Sequence, residues 1–384
     1  MMGRILGPEE RKESRKLAAR QVRLIILFFV IALGGGMIYL STRERDDDRI
    51  RSEKKPSFNY RYEFRHLKNE MKVNLYIDGS LFTSYHYNPD LKKHVLFPII
   101  TESGKKVTRG YPLEPRPFEP TDHPHHIGIS LTHGVVNSLD FWSNTDSVPP
   151  ERQFHYGTVL HDSFKKIKSG DKKGILEITA RWERSDKRVL MDEKTIFTFT
   201  SEPGVRIIDR ETTLTATDLS VHFQDSKEGM YCMRVAREME QPSPEYREYL
   251  DENLKLVRFP KDSLTGPKGL YENSEGHMGD DVWGKRAKWV SLSSMLEGEP
   301  VSVVMFDHPA NPNYPAHWMA RGYGLFGINP FGSQVYSEGK ESLNYFLEPG
   351  KSVTFNYRLA IINGFKPDKI RIEKLFNDFV SQNK

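Results

Sequence analysis

The sequence predicts an all-β body, a large two-sheet antiparallel β-sandwich, preceded by one N-terminal transmembrane helix. Three observations lead there. Residues 24–42 form an uncharged apolar run. From residue 59 onward, segments rich in Val, Ile, Thr, Phe and Tyr follow one another between Gly, Pro, Asn and Asp. Only one stretch, close to the C-terminus, has convincing helical spacing.

The apolar run is "LIILFFVIALGGGMIYLST", Leu24 to Thr42. At ~1.5 Å per residue it extends roughly 28 Å, close to the ~30 Å thickness of a bilayer's hydrocarbon core. Arg4, Arg11, Lys12, Arg15, Lys16, Arg20 and Arg23 precede it, whereas acidic residues dilute the basic ones in "RERDDDRIRSEKKP" behind it. The charge bias favours a cytoplasmic N-terminus. No small-x-small cleavage site follows cleanly, and no Cys that could take a lipid. The run therefore reads as an uncleaved signal-anchor. The expected organisation is a basic cytoplasmic N-terminus (1–23), the span (24–42), a charged linker (43–58) and a β domain (59–384). That places the protein in the inner membrane as a single-pass protein, with its C-terminal domain in the periplasm.

Among the strand signals, "VNLYIDGSLFTSYHY" (73–87) alternates and carries Asp78-Gly79 at its centre, a tight hairpin signal. Further strands are expected at 94–100, 175–183, 195–200, 205–216, 287–294, 301–306 and 352–362. "PDKIRIEKLFNDFVSQ" (367–382) opens on Pro and repeats apolar residues at helical spacing. A second, short helix is expected within 240–255. Many strands and few helices in about 310 residues suit a two-sheet sandwich.

Composition excludes some functions. Net charge is +4, and Lys and Arg are spread without a basic stripe, which argues against nucleic-acid binding. A single cysteine, Cys232, excludes an intrachain disulfide and Cys-based zinc or iron–sulfur sites. Aromatic residues make up 11% of the chain, which suits both strands and a sugar-binding face.

Four clusters carry candidate chemistry. "DHPHHIGISLTHGVVNSLDFW" (122–142) places four of the thirteen histidines close together, with Asp122 able to orient an imidazole. Its candidates are His126 and His133 as acid–base groups, and Asp122, His125 and Trp142 as binding groups. "VHFQDSKEGMYCMRVA" (221–236) offers Glu228 as a base and Arg234 as its charge partner. "NSEGHMGDDVWGKRAKWV" (273–290) sets Trp283 beside Arg286, an aromatic platform with a basic donor. "FDHPANPNYPAHWMARGYGLFGINPFG" (306–332) repeats the Asp-His-Pro unit as Asp307, His308 and Pro309. It adds Asn311, Trp318, Arg321 and Asn329 as binding candidates and His317 as an acid–base candidate.

These motifs, in this order, resemble the PmoA-like ("methane oxygenase PmoA") domain family. The resemblance rests on "DHPHHIG", "DFW", "EGMYCMRVA", "VWGKRAKWV", "DHPANPN" with "HW" behind it, and "YGLFGINPFG", over roughly residues 60–365. Family members often carry a basic residue after the His pair, where this chain has Ile127. The resemblance implies a galactose mutarotase-like supersandwich, a fold associated with sugar binding and sugar chemistry.

Three functions stay open. The first is a carbohydrate-active enzyme of epimerase, lyase or hydrolase type, using His and Glu as acid and base. The second is a non-catalytic glycan-binding module. The third is a metal-dependent enzyme in which His123, His125 and His133 converge with His308 or His317. No HExxH or Cys–His signature is present, so no metal ligand and no cofactor is assigned. The expected partners are a carbohydrate or other small molecule and the membrane. The two Asp-His-Pro turns are expected to meet at one end of the sandwich.

Overall fold

The computed structural model describes residues 59–242, 248–258 and 268–382. The expected membrane span and its flanks lie outside these residues. Among the described residues no helix is long and apolar enough to cross a membrane.

In chain order the strands are β1 (Tyr62–Leu67), β2 (Lys72–Ile77), β3 (Ser80–His86), β4 (Val95–Leu96), β5 (Ile129–His133), β6 (Gly157–Lys168), β7 (Gly174–Arg184), β8 (Val189–Glu202), β9 (Val205–Ala216) and β10 (Val221–Phe223). They continue as β11 (Gly229–Arg234), β12 (Glu248–Leu250), β13 (Leu256–Arg258), β14 (Leu270–Asn273), β15 (Trp289–Leu296), β16 (Glu299–Asp307), β17 (His317–Ala320), β18 (Leu325–Asn329), β19 (Tyr345–Leu347) and β20 (Ser352–Asn363). The α-helices among the described residues are α1 (Ser333–Tyr336) and α2 (Lys369–Gln382).

Two eight-stranded sheets dominate. The first has the order β1-β2-β3-β4-β5-β11-β18-β17, the second β14-β15-β16-β20-β9-β8-β7-β6. Neighbouring strands within each sheet run antiparallel. The hairpin expected at Asp78-Gly79 joins β2 to β3, and both residues have positive φ, 49° and 78°. That is the backbone of a two-residue type I′ turn. Of the short helix expected within 240–255, residues 243–247 lie outside the described residues, and Glu248–Leu250 forms β12, paired with β13. Three residues of strand at that point satisfy their backbone groups across a short hairpin, and the apolar spacing there is too sparse to bury a helix face.

Alternation decides what each face does. From the first sheet, Leu131, Tyr231, Ile328 and Trp318 point between the sheets, where they meet Phe197, Leu214, Val303 and Tyr357 of the second. The rings of Tyr231 and Tyr357 stack across the gap at 5.0 Å. A charged network lies in this interior: Glu193 accepts from Trp182, Thr195 and Arg210 and pairs with His94. Glu193, buried there, is thus met by four donors, whereas the Tyr231 and Tyr357 hydroxyls have no hydrogen-bond partner among the described residues.

The outer face of the second sheet carries Val205, Val304, Phe306, Ala360 and Ile362, and α2 covers it with Ile372, Leu375, Phe376 and Phe379. Those four helix positions fall at i, i+3, i+4 and i+7, one stripe of an α-helix. The outer face of the first sheet has no such cover. Ser130, Cys232, Gly327 and Met319 form one row across it, fixed by the pairing of β5, β11, β18 and β17. Arg234 and Leu325 lie two residues along on one side, and Asn329 and His317 on the other. Loops close over this face, and it holds most of the sequence's candidate chemistry.

Gly327 is required in that row. A Cβ there would stand 1.9 Å from the Cys232 sulfur. Gly327→Ala should therefore destabilise the fold by about 1–3 kcal/mol, the usual range for forced overpacking. A lowered urea midpoint would show this; an unchanged midpoint would mean that β11 and β18 move apart without penalty.

Candidate functional site

One end of the outer face is built around Asp122. Its Oδ1 accepts from Nη1 of Arg109 at 2.8 Å and from Nη2 of Arg234 at 2.9 Å. Its Oδ2 accepts from Nδ1 of His123 at 2.7 Å. Burial alone would raise the Asp122 carboxyl pKa, but the His123 hydrogen bond and the charges of Arg234 and Arg109 outweigh it and hold it well below the usual carboxylate range. Arg109 also donates to the carbonyls of Asp122, His123 and His126, which fixes the whole histidine turn. Pro124 sits within that turn, where its fixed φ limits the backbone.

The histidine rings are arranged edge to face and face to face. His123 stacks on His126 at 4.8 Å and on Tyr323 at 5.4 Å, and His126 meets the Trp142 ring at 5.5 Å. His126 is 6% exposed, and neither of its ring nitrogens has a hydrogen-bond partner among the described residues. Burial, then the charges of His125 and Arg234, push its pKa well below 6.5, so the ring is neutral at pH 7. Burial and the Lys93 charge likewise bring His125 down to about 3. A small cavity here is lined by Lys93, His125, His126, Trp142, Cys232 and Arg234, among others.

The other end is built around His317. Its Nδ1 lies 2.7 Å from the carbonyl of Gly284. A carbonyl only accepts, so Nδ1 carries the proton and Nε2 presents its lone pair. Nε2 is buried without a hydrogen-bond partner among the described residues. Tyr336 packs against the His317 ring at 5.2 Å and against Trp283 at 5.2 Å. Arg321 stacks on Trp283, with its guanidinium carbon 3.4 Å from the ring centroid. Glu228 is partly exposed, and its only ion pair among the described residues is with Lys227 at 3.4 Å. Behind burial, its charge contributes to the raised pKa of Cys232, Tyr323 and Tyr336. Burial is the larger cause of the raised Cys232 pKa, so this thiol is protonated and inert.

The outer face thus brings together Asp122, His125, His126, Trp142, Glu228, Arg234, Trp283, His317, Arg321 and Asn329. Several expected site residues do other work. His133 is fully buried between Phe223 and Phe331 and donates from Nε2 to the Gln224 carbonyl at 2.7 Å. Trp318 is 0% exposed in the inter-sheet core, with its indole N–H on the Ala287 carbonyl, and offers no stacking face. Arg286 donates to the Asn313 and Pro315 carbonyls and pairs with Glu341, stapling two loops. Asn329 sits on the face but is committed: it donates to the Ser226 carbonyl and accepts from the Phe331 N–H.

The expected meeting of the two Asp-His-Pro turns is also corrected. Asp307 ends β16, fully buried, and accepts from Asn311 and from the Ala316 N–H. Asn311 in turn donates to the Asn356 carbonyl and accepts from the Asn356 N–H. His308 packs against Phe379 of α2 at 5.0 Å. This second turn therefore belongs to the second sheet and its helix, whereas the first binds Arg234 of the first sheet and Arg109 from the segment between β4 and β5. Burial raises the Asp307 pKa to about 7, with the bonds from Ala316 and Asn311 opposing. The convergence that a metal site needed is likewise not seen: His133, His308 and His317 each bond or pack elsewhere. Among the described residues no group of three His, Cys, Asp or Glu could hold a metal ion.

Sequence reasoning missed Lys93, Arg109, Tyr323 and Tyr336. Lys93 directly precedes the strand expected at 94–100 and Arg109 lies 13 residues before Asp122, and neither carries a local signal of burial. Tyr323 lies beside Arg321 in "ARGYG", and its neighbourhood was the one available hint.

Among solved structures the chain is similar to the GH36 α-galactosidase AgaB from Geobacillus stearothermophilus, with 12% identity over 78% of this chain and 41% of that one, at a TM-score of 0.36. It therefore spans less than half of that enzyme's length. It is also similar to a galactose mutarotase-like protein from Clostridium acetobutylicum, with 11% identity over 80% of this chain and 100% of the other, at a TM-score of 0.32. A galactose mutarotase related enzyme from Lactobacillus acidophilus shares 9% identity over 81% and 98% of the two chains, at a TM-score of 0.29. No curated protein matches the sequence. The PmoA-like name suggested by the motifs finds no support in these comparisons. What matches, over residues 72–377, is the family of unknown function DUF6807, and the chain belongs to it.

Proposed function

We propose that the outer face of the first sheet binds a saccharide and modifies it by general acid–base chemistry, in a body held outside the cytoplasm by the 24–42 span. The observation that supports the reading best is the His317 arrangement. Its tautomer is fixed by the Gly284 carbonyl, its buried Nε2 has no hydrogen-bond partner among the described residues, and the Glu228 charge acts on Tyr336, which packs against the ring. A fixed imidazole lone pair and a carboxylate on one face are the components of proton abstraction and return. Trp283, Tyr323 and Tyr336, which are only partly buried, give that face aromatic rings suited to sugars. Arg234 and Arg321 supply donors for hydroxyl oxygens.

One observation favours binding without turnover. Arg321 already occupies a face of Trp283, and neither His126 nor His317 is hydrogen-bonded to a carboxylate among the described residues. The full chain, solubilised in detergent and incubated with a panel of oligosaccharides, separates the two readings. A product with any one glycan supports the enzyme; binding with no product from any glycan that binds supports the module; no binding at all overturns both. For the location, protease added to intact spheroplasts should degrade the body. Protection of the body there, with degradation only after lysis, would overturn the periplasmic placement.

A further inference from the structure

Lysine is concentrated at one hairpin, although the chain as a whole spreads its basic residues. The end of β6 and the turn into β7 read "KKIKSGDKK", residues 165–173. Lys165, Lys166, Lys168, Lys172 and Lys173 stand there against one acid, Asp171, an excess as large as the +4 of the whole chain. All five lysines are exposed, and none has an ion pair or side-chain hydrogen bond among the described residues. Glu177, opposite Lys166 across the hairpin, pairs with Lys194 instead. Ile167 pairs with Leu176, which is 1% exposed, yet is itself 39% exposed. This end of β6 has therefore left the core. β6 is an edge strand of the second sheet, and lysines on an edge discourage pairing with another strand. Lys172 and Lys173 lie past the strand, in the turn, where that duty does not arise. Like charges crowded on a short hairpin repel one another and gain from a facing negative surface.

The chain enters the body at this same hairpin. The described residues open at Asn59. Tyr62, the first residue of β1, exchanges both backbone hydrogen bonds with Gly170 in the turn, at 2.8 and 3.1 Å. Two residues on, the Phe64 N–H donates to Ser169 Oγ at 3.1 Å. Residues 43–58 alone separate the apolar run from that entry point, and a chain of that length reaches at most about 55 Å when fully extended. We propose that the lysine hairpin docks the body on the anionic lipid headgroups of the membrane that carries the chain. The inference rests on the 24–42 span and is independent of the saccharide reading. Ammonium groups on flexible four-carbon stems meet headgroup phosphates as point charges. An anionic bilayer attracts such a cluster within about a Debye length, ~8–10 Å at ordinary salt. Ile167 adds one apolar side chain for the headgroup boundary.

The test places a fluorophore on the full chain at Asp171→Cys; the natural Cys232 is buried. The labelled chain is reconstituted into vesicles of phosphatidylcholine alone or with about one third phosphatidylglycerol, each carrying a headgroup nitroxide as quencher. The expected result is quenching about twofold or more stronger in the anionic vesicles at low salt, falling to the neutral level at about 0.5 M salt. With Lys166→Gln, Lys168→Gln, Lys172→Gln and Lys173→Gln added, the two lipids should quench alike. Equal quenching by both lipids in the labelled chain would overturn the docking surface. A lipid difference that survives the four substitutions would overturn the part assigned to the lysines. A lipid difference that emerges only with Asp46→Asn, Asp47→Asn and Asp48→Asn would overturn it too, because the hairpin would then pair with its own chain. An alkaline carbonate wash of the vesicles tests the span separately. A chain released by the wash but still quenched more in anionic vesicles would overturn the span and support the surface. A chain retained but quenched equally would overturn the surface and leave the span standing. The comparison of lipids on the labelled chain decides the matter even if the fourfold variant does not fold.

Discussion

Asp122→Ala is expected to destabilise the fold by about 3–5 kcal/mol, because it strands buried charge. The Arg109 and Arg234 side chains are both 0% exposed, and Asp122 Oδ1 is the carboxylate oxygen they share. Removing it leaves Arg234 with the longer 3.6 Å ion pair to Glu240 and its stacking on the Tyr323 ring. Arg109 keeps its bonds to three carbonyls, which hold the turn but do not balance its charge. Urea unfolding of both proteins at pH 7 measures the difference; equal midpoints would show that water reaches the two guanidinium groups. The pH dependence has a definite sign. The folded carboxyl sits below its unfolded value, so its stabilising effect is present above the ordinary carboxylate range and is lost as pH falls through the folded value. The gap between wild type and Asp122→Ala should therefore narrow progressively below about pH 4.

The second large effect concerns turnover. Once a glycan substrate is in hand, Glu228→Gln should lower kcat by about 10²–10⁴-fold while leaving binding within a few-fold. Glu228 suits this test because its side chain has little structural duty, a single ion pair to the neighbouring Lys227. The amide keeps the volume and removes the proton acceptor. His317→Gln should show the same split, since it removes the lone pair held by the Gly284 carbonyl. Parallel loss of kcat and binding in both variants would point instead to a binding surface. Unchanged kcat in both would remove them from the chemistry altogether.

How much of this was legible in the sequence depends on the range of the interactions involved. The hairpin at Asp78-Gly79 is written locally, because two successive positive φ values need residues that tolerate them. The C-terminal helix is written in its spacing, and Ile372, Leu375, Phe376 and Phe379 bury the stripe that the spacing announced. The expected strand at 205–216 matches β9, since long alternating runs leave little choice of face. Short strands such as β5, β11, β17 and β18 were not resolved one by one, yet they build the candidate site. Their residues are buried on both sides, so alternation between polar and apolar residues is blurred in β11, β17 and β18, and β5 is only five residues long.

The sequence by itself determined the all-β architecture, the C-terminal helix that caps one sheet, and the histidine-rich turn as a place of interest. Those follow from near neighbours: pattern, turn residues and the rigid geometry around proline. Only the tertiary structure decided which of two identical tripeptides belongs to the site. Asp122 and Asp307 are followed by the same His-Pro, but one meets Arg109, 13 residues before it, and Arg234, 112 residues after it, and the other meets its own loop. It also decided that Lys93 and Arg109 join the histidines and that Trp318 does not. Burial and charge pairing arise between residues far apart in the chain, and no local pattern encodes which distant partner a carboxylate will find.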